Sequence, residues 1–239
     1  MKRRVHLPPE RIGEGRAELT EAARHYLGGV LRLGGGDEVE LFDGHGHAWA
    51  ARLTPDLTAL VLGPRREAPA GGPAIHLLFA LAKGEKCDLV VQKATELGAS
   101  RLVPFAAERS VVQLDGEKAA ERAERWRRIA AEAARQSGRS DLPEVAVPGP
   151  LAAALAAVPA GFRTVALHGG GAPLGQLGLE GAVGVAAVIG PEGGLTDGEL
   201  SACRSAGALL GGLGPRTLRA ETAAIAVVAL LQGLVGDIR

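Results

Sequence analysis

Apolar and polar positions along this chain follow two different rhythms, and the change falls near residue 70. Before it, the apolar runs are short. VELFDGHGHAWAARL sets two strand-like runs around a turn-rich centre, which predicts a hairpin, and LTALVLG adds a further strand. Residues 18–27 read as one short helix. The stretch EAPAGGP, residues 67–73, has linker composition. After it, IHLLFAL (75–81) is a continuous apolar run, as expected of a strand covered on both faces. GEKCDLVVQKATELG has helical period, with Gly98 as its stop. RLVPF, TVALHG, VGVAAVIG and ALLGGLG read as strands. Between them, residues 116–137, LAAALAAVPA and TDGELSACRSAG read as helices, and Thr196 and Glu199 in the last match a capping box. ETAAIAVVALLQGLV is apolar nearly all round and should be a buried helix. Strands alternating with helices predict a mostly parallel sheet covered on both sides. The chain therefore divides into a small β-rich module, residues 1–70, and an α/β domain, residues 73–239.

Composition narrows the chemistry. The 239 residues carry no formal net charge, so any polyanion site must be a local patch. The two cysteines, Cys87 and Cys203, form no disulfide framework or metal spacing. His45 and His47 are the one close histidine pair, and no metal site is expected there because three or four ligands must converge. The basic start leads to no apolar signal segment, and residues 223–231 are too short to span a bilayer, so a cytoplasmic protein is expected. Asparagine is absent, a bias that suits a thermophile or a GC-rich genome.

Ligands of open α/β sheets collect beyond the carboxyl ends of strands. Three such ends here are glycine-rich: LHGGGAPL, VIGPEGGL and LGGLGPRTLRAET. Glycine permits positive φ and close approach of backbone to ligand. Each alone reads as a tight turn; three on successive strands point to a shared pocket. Neither a P-loop nor a dinucleotide fingerprint is present, so an adenosine-type ligand held by backbone groups fits better than a phosphate.

Four blocks, KGEKCDLVVQKATELG, EAARQSGR, VIGPEGGLT and LGPRTLRAETAA, lie in this order between residues 83 and 224. Together they resemble the RsmE family of small-subunit ribosomal RNA methyltransferases, in the SPOUT superfamily. The β-rich module is similar to the family's PUA-like barrel. The resemblance implies a trefoil-knotted α/β domain behind an N-terminal RNA-binding domain. It also implies S-adenosyl-L-methionine as cofactor, methylation of N3 of one uridine in 16S ribosomal RNA, and a homodimer. The substrate would be that RNA or the small ribosomal subunit. The cofactor pocket would come from residues 167–169, 189–194 and 213–218, with Leu167, His168, Gly169, Ile189, Gly190, Glu192, Gly193, Leu213, Gly214, Thr217 and Leu218 as contacts. A transfer RNA ribose 2'-O-methyltransferase and a non-enzymatic ribosome-binding module are the competing readings; the PUA-like module and the LRAETA block speak against the first.

Uridine N3 carries a proton, and the neutral imide is a poor nucleophile. Glu221 is a candidate base, or simply a carboxylate at a helix N-terminus. Arg219 or Arg216 is a candidate to stabilise charge on the uracil oxygens, or forms a structural ion pair. The sulfonium's own charge also lowers the cost of an anion beside it, so no protein base is strictly needed. For RNA phosphates the candidates are Lys2, Arg3 and Arg4 at the N-terminus, Lys83 and Lys93, Arg135 and Arg139, and Arg216. Trp126 lines up with Ala119, Ala123, Ala130 and Ala133 and is expected in the core rather than on a base-stacking platform.

Overall fold

A computed structural model describes residues 3–68, 71–110 and 116–238. The chain separates into two compact units: Met1–Ala70 with Ala131–Leu142, and Gly71–Ala130 with Pro143–Arg239. Lys2 lies outside the described residues.

The first unit is built on a five-stranded sheet in the order β1-β3-β4-β5-β2. Its strands are β1 (Arg4–His6), β2 (Arg16–Glu18), β3 (Glu38–Phe42), β4 (His47–Leu53) and β5 (Ala59–Glu67). The expected hairpin is β3–β4, with Leu41 opposite Trp49. Asp43 organises its turn: the carboxylate accepts from the His45 and His47 amides and meets His47 Nδ1 at 2.6 Å. The short helix begins at α1 (Glu21–Arg24), capped by Thr20, and continues as one π-turn, His25–Val30. Leu7, Leu27, Leu41 and Leu60 are fully buried and form this unit's core.

The second unit carries a parallel sheet in the order β12-β10-β11-β6-β7-β8, with β9 also beside β7. In chain order the strands are β6 (Ala74–Ala80), β7 (Arg101–Ala106), β8 (Glu144–Val145), β9 (Gly149–Pro150), β10 (Arg163–Pro173), β11 (Gly184–Ile189) and β12 (Leu209–Gly212). Every residue of β11 is buried, because this central strand is covered on both faces. The helices are α2 (Lys86–Glu96), α3 (Gly116–Ser137), α4 (Leu151–Ala156), α5 (Asp197–Ser205) and α6 (Ala220–Val235). α2 stops at Gly98, whose φ of +88° is the left-handed value glycine adopts without a Cβ penalty. The capping box at α5 is complete. α6 packs against α2, β6 and β11. Trp126 is 1% exposed and donates Nε1 to Asp88 at 2.9 Å, so its polar atom is satisfied inside the core.

No helix among the described residues is long and apolar enough to cross a membrane.

Candidate functional site

The three glycine-rich segments sit on neighbouring strands. β12 pairs with β10, and β10 with β11, all parallel, so their carboxyl ends share one edge of the sheet. The first segment differs from a loop that follows its strand. Leu167 and Ala172 both align with Gly211, so residues 168–171 bulge out of β10 before pairing resumes. Bulges of this kind re-aim the backbone at sheet rims. Glycine is required where the strands press together: a Cβ on Gly212 would lie 2.6 Å from the Gly171 carbonyl oxygen. His168 caps the bulge, its Nδ1 accepting from the Gly170 amide at 3.1 Å.

The second segment is a turn closed by the Gly194 amide donating to the Pro191 carbonyl at 2.8 Å, with Gly194 at φ +70°. A Cβ on Gly190 would lie 2.8 Å from the Leu195 amide nitrogen, so only glycine fits there. Arg109, from the loop after β7, donates to the Gly193 carbonyl at 2.6 Å. The Glu108 amide donates to Glu199 Oε1 at 2.9 Å, while Glu199 Oε2 accepts from Thr196. One buried carboxylate thus caps α5 and ties it to the loop after β7.

The third segment leaves β12 through Leu213, Gly214 (φ +98°), Thr217 and Leu218 and enters α6, with Arg219 at the N-cap. Leu167 and Leu213 are half-buried against the core, and Leu218 is half-buried as well. Arg216 and Arg219 are exposed.

Between β6, β11, α2 and α6 lies a narrow crevice whose walls include Phe79, Cys87, Ile189, Gly190 and Glu221. Glu221 is only 12% exposed, and its buried Oε2 has no hydrogen-bond partner. Its nearest cation is Lys86 Nζ at 3.9 Å, and Lys86 also bonds Glu192. That bond is the main force raising the lysine's pKa and lowering the glutamate's from their ordinary values. Burial pushes the Cys87 thiol up.

These features suit an adenosine-type cofactor held by backbone. Gly169 and Gly214 face open space with no atom within 4 Å of a notional Cβ, and a buried carboxylate oxygen waits unpartnered nearby. Among the described residues, no cluster of three or more His, Cys, Asp or Glu could hold a metal ion.

The basic candidates divide sharply. Arg3 is half-exposed, 3.6 Å from Asp37. Lys83 and Arg216 are exposed, and Lys93 pairs with Glu96 at 2.8 Å. Arg4 is 4% exposed: its guanidinium bonds Glu40 at 2.7 Å and the Arg139 carbonyl at 2.8 Å, and lies over the Phe42 ring. Arg135 stacks on the Tyr26 ring, bonds its hydroxyl and pairs with Glu132. Arg139 pairs with Asp141 at 2.6 Å. These three guanidiniums are engaged within the first unit, which takes them out of the set expected to contact phosphates.

Sequence reasoning passed over Lys86, Arg109 and Glu199 as a group. Lys86 stood inside a quoted block, but its partner Glu192 is 106 positions away. Only the capping-box spacing drew attention to Glu199.

Residues 71–232 match the family model of the RNA methyltransferase domain, and residues 19–57 that of the RNA methyltransferase PUA domain. The chain is similar to ribosomal RNA small subunit methyltransferase E of Synechocystis, at 38% identity over 98% of this chain and 78% of that one. It is also similar to the Bacillus subtilis protein of the same name, at 32% identity over 92% and 91%. The crystal structure of ribosomal RNA small subunit methyltransferase E from Neisseria gonorrhoeae bound to S-adenosyl methionine superposes with a TM-score of 0.91, at 30% identity and 100% coverage of both chains. A Legionella pneumophila protein described as a methyltransferase, solved with bound SAM, superposes equally well at 31% identity and the same coverage. With a sheet edge of this form and these matches along almost its whole length, the chain belongs to the ribosomal RNA small subunit methyltransferase E family.

Proposed function

We propose that this protein is an S-adenosylmethionine-dependent methyltransferase that modifies N3 of one uridine in 16S ribosomal RNA. The observation that carries the reading is the convergence of three glycine-rich segments on adjacent parallel strand ends, beside a buried carboxylate that lacks a partner. Residues 1–70, joined in their compact unit by Ala131–Leu142, serve as the PUA-like RNA-binding domain, and the rest of residues 73–239 serves as the SPOUT methyltransferase domain.

The chain's residues act by holding and orienting. Backbone at 167–169, 189–194 and 213–218 encloses the cofactor, with Leu167, Leu213 and Leu218 offering apolar surface to its adenine. When bound, the cofactor supplies an electrophilic methyl group. Positioning the uracil nitrogen in line with it contributes roughly 7–11 kcal/mol toward the barrier. Glu221 accepts the N3 proton, and Arg219 or Arg216 balances negative charge on the uracil oxygens. Burial raises the pKa of the Cys87 thiol, which disfavours a thiolate in this crevice. Arg3, Lys83, Lys93 and Arg216 make the RNA-facing set.

A homodimer through the second unit belongs to the same proposal. Leu230 and Leu234 are one turn apart on α6 and stay exposed, at 48% and 37%. The trefoil threading belongs to the same proposal and rests on the family resemblance. A cytoplasmic setting follows from the substrate.

Calorimetry with S-adenosylhomocysteine and mass mapping of 16S RNA after incubation test the assignment. Saturable binding with one added methyl at a uridine N3 is expected. No heat at saturating ligand would leave only an inert ribosome-binding module.

A further inference from the structure

Two carboxylates flank the crevice from different elements, and one ammonium stands between them. Lys86 opens α2, hydrogen-bonds Glu192 in the turn after β11, and lies 3.9 Å from Glu221 Oε2 at the start of α6. The Glu192 pair is largely exposed, at 35% and 49% for the two side chains, and exposed pairs contribute little to stability. Glu221 is the different case. A buried carboxylate oxygen without a hydrogen bond is costly unless a cation is near. The charged and titratable groups that share its surroundings or act on Lys86 are Glu85, Lys86, Cys87 and Asp88 from the start of α2, Glu192 from the turn, and Arg219 from its own N-cap. Of the two acids at the start of α2, Glu85 is the exposed N-cap and Asp88 is engaged by Arg125 and by Trp126. An ammonium has three donors, enough to serve both carboxylates at once.

We infer that Lys86 is a positioning residue that couples the glycine turn to Glu221: it compensates the buried carboxylate and, through Glu192, holds the turn against the start of α6. This rests on the reading of the crevice as the methyl-transfer site. The coupling makes cofactor affinity depend on Lys86 and Glu221 jointly rather than separately.

A double-mutant cycle read by calorimetry with S-adenosylhomocysteine tests this without using turnover. Lys86→Met should weaken binding about tenfold in the otherwise native protein, and by less than about threefold when Glu221→Gln is already present. Lys86→Arg, which restores a cation, should recover most of the affinity. Lys86→Met should also lower the melting temperature of the otherwise native protein, where it leaves the buried Glu221 carboxylate without its cation, and should not lower it further when Glu221→Gln is already present. An equal factor in both backgrounds, or no recovery by arginine, would overturn the coupling. The single-turnover rate of Glu221→Gln separates the two claims. A native rate would retire Glu221 as proton acceptor, while the calorimetric cycle would still decide the role of Lys86.

Discussion

Arg109 donates to the Gly193 carbonyl at 2.6 Å, reaching 84 positions along the chain to hold the glycine turn from outside. Charge-assisted bonds are short and directional, so this one fixes the orientation of a peptide that glycine would otherwise leave free. Arg109→Ala should lower affinity for S-adenosylhomocysteine about fivefold, the equivalent of ~1 kcal/mol, and leave the melting temperature unchanged. Arg109→Lys should recover part of the loss. Calorimetry beside a melting curve checks both.

Glycines at the sheet edge should separate into two classes. A Cβ on Gly169 meets no atom within 4 Å, whereas one on Gly190 would lie 2.8 Å from backbone. Gly169→Val is expected to fold normally and to lose cofactor affinity by about a hundredfold, because the side chain takes ligand space. Gly190→Val should lower the denaturation midpoint itself, by roughly 1–3 kcal/mol of overpacking. Urea unfolding run beside calorimetry distinguishes them; equal stability loss in both would contradict the open face at Gly169.

Glu199 is 6% exposed and accepts from Thr196 and from Glu108. Glu199→Ala removes half of a capping box and takes the acceptor from the part-buried Thr196 and Glu108 amides. A stability loss of about 2–3 kcal/mol by urea unfolding is expected, larger than a surface cap alone would cost.

Arg3 and Arg4 are neighbours with opposite fates. Arg4→Met should destabilise the first unit by about 2–3 kcal/mol, since it removes one of the two arginines on Glu40 and leaves the Ala134 and Arg139 carbonyls without this donor. Arg3→Ala should leave stability unchanged and reduce the salt slope of RNA binding by about one. A filter-binding series over ionic strength reads the second effect, and an unchanged slope would remove Arg3 from the interface.

Asp43 links stability to pH. Burial alone would raise its carboxyl, but the His47 ring and the His45 and His47 amides outweigh that and hold it below the ordinary 3.8. A carboxyl lowered by folding stabilises the native state above its unfolded pKa, and that contribution fades as pH falls through the folded value. The native protein should therefore lose stability toward acid more steeply than Asp43→Asn. Urea midpoints between about pH 5 and pH 2 measure the difference.

Much of the architecture was legible along the chain because burial imposes local periods. The continuous apolar run of β11, the helical rhythm ending at Gly98 and the Thr196–Glu199 capping box are short-range patterns, and each sits where its period says. The glycine-rich segments were visible as composition, and the four ordered blocks were enough to suggest a family. What the chain could not show were relations between distant positions. The bulge that carries Gly169–Gly171 exists because residues 167 and 172 both face Gly211 across β12. Arg4 in one basic stretch, and Arg135 and Arg139 in another, read as candidate phosphate contacts, yet the fold brings Glu40, Tyr26, Glu132 and Asp141 to them. Lys86 and Glu192 are 106 positions apart, and nothing in either neighbourhood announces the other. Periodicity records which face of an element is covered; only the packed sheet decides which charges meet, because electrostatic pairing depends on distance in space and leaves no period in sequence.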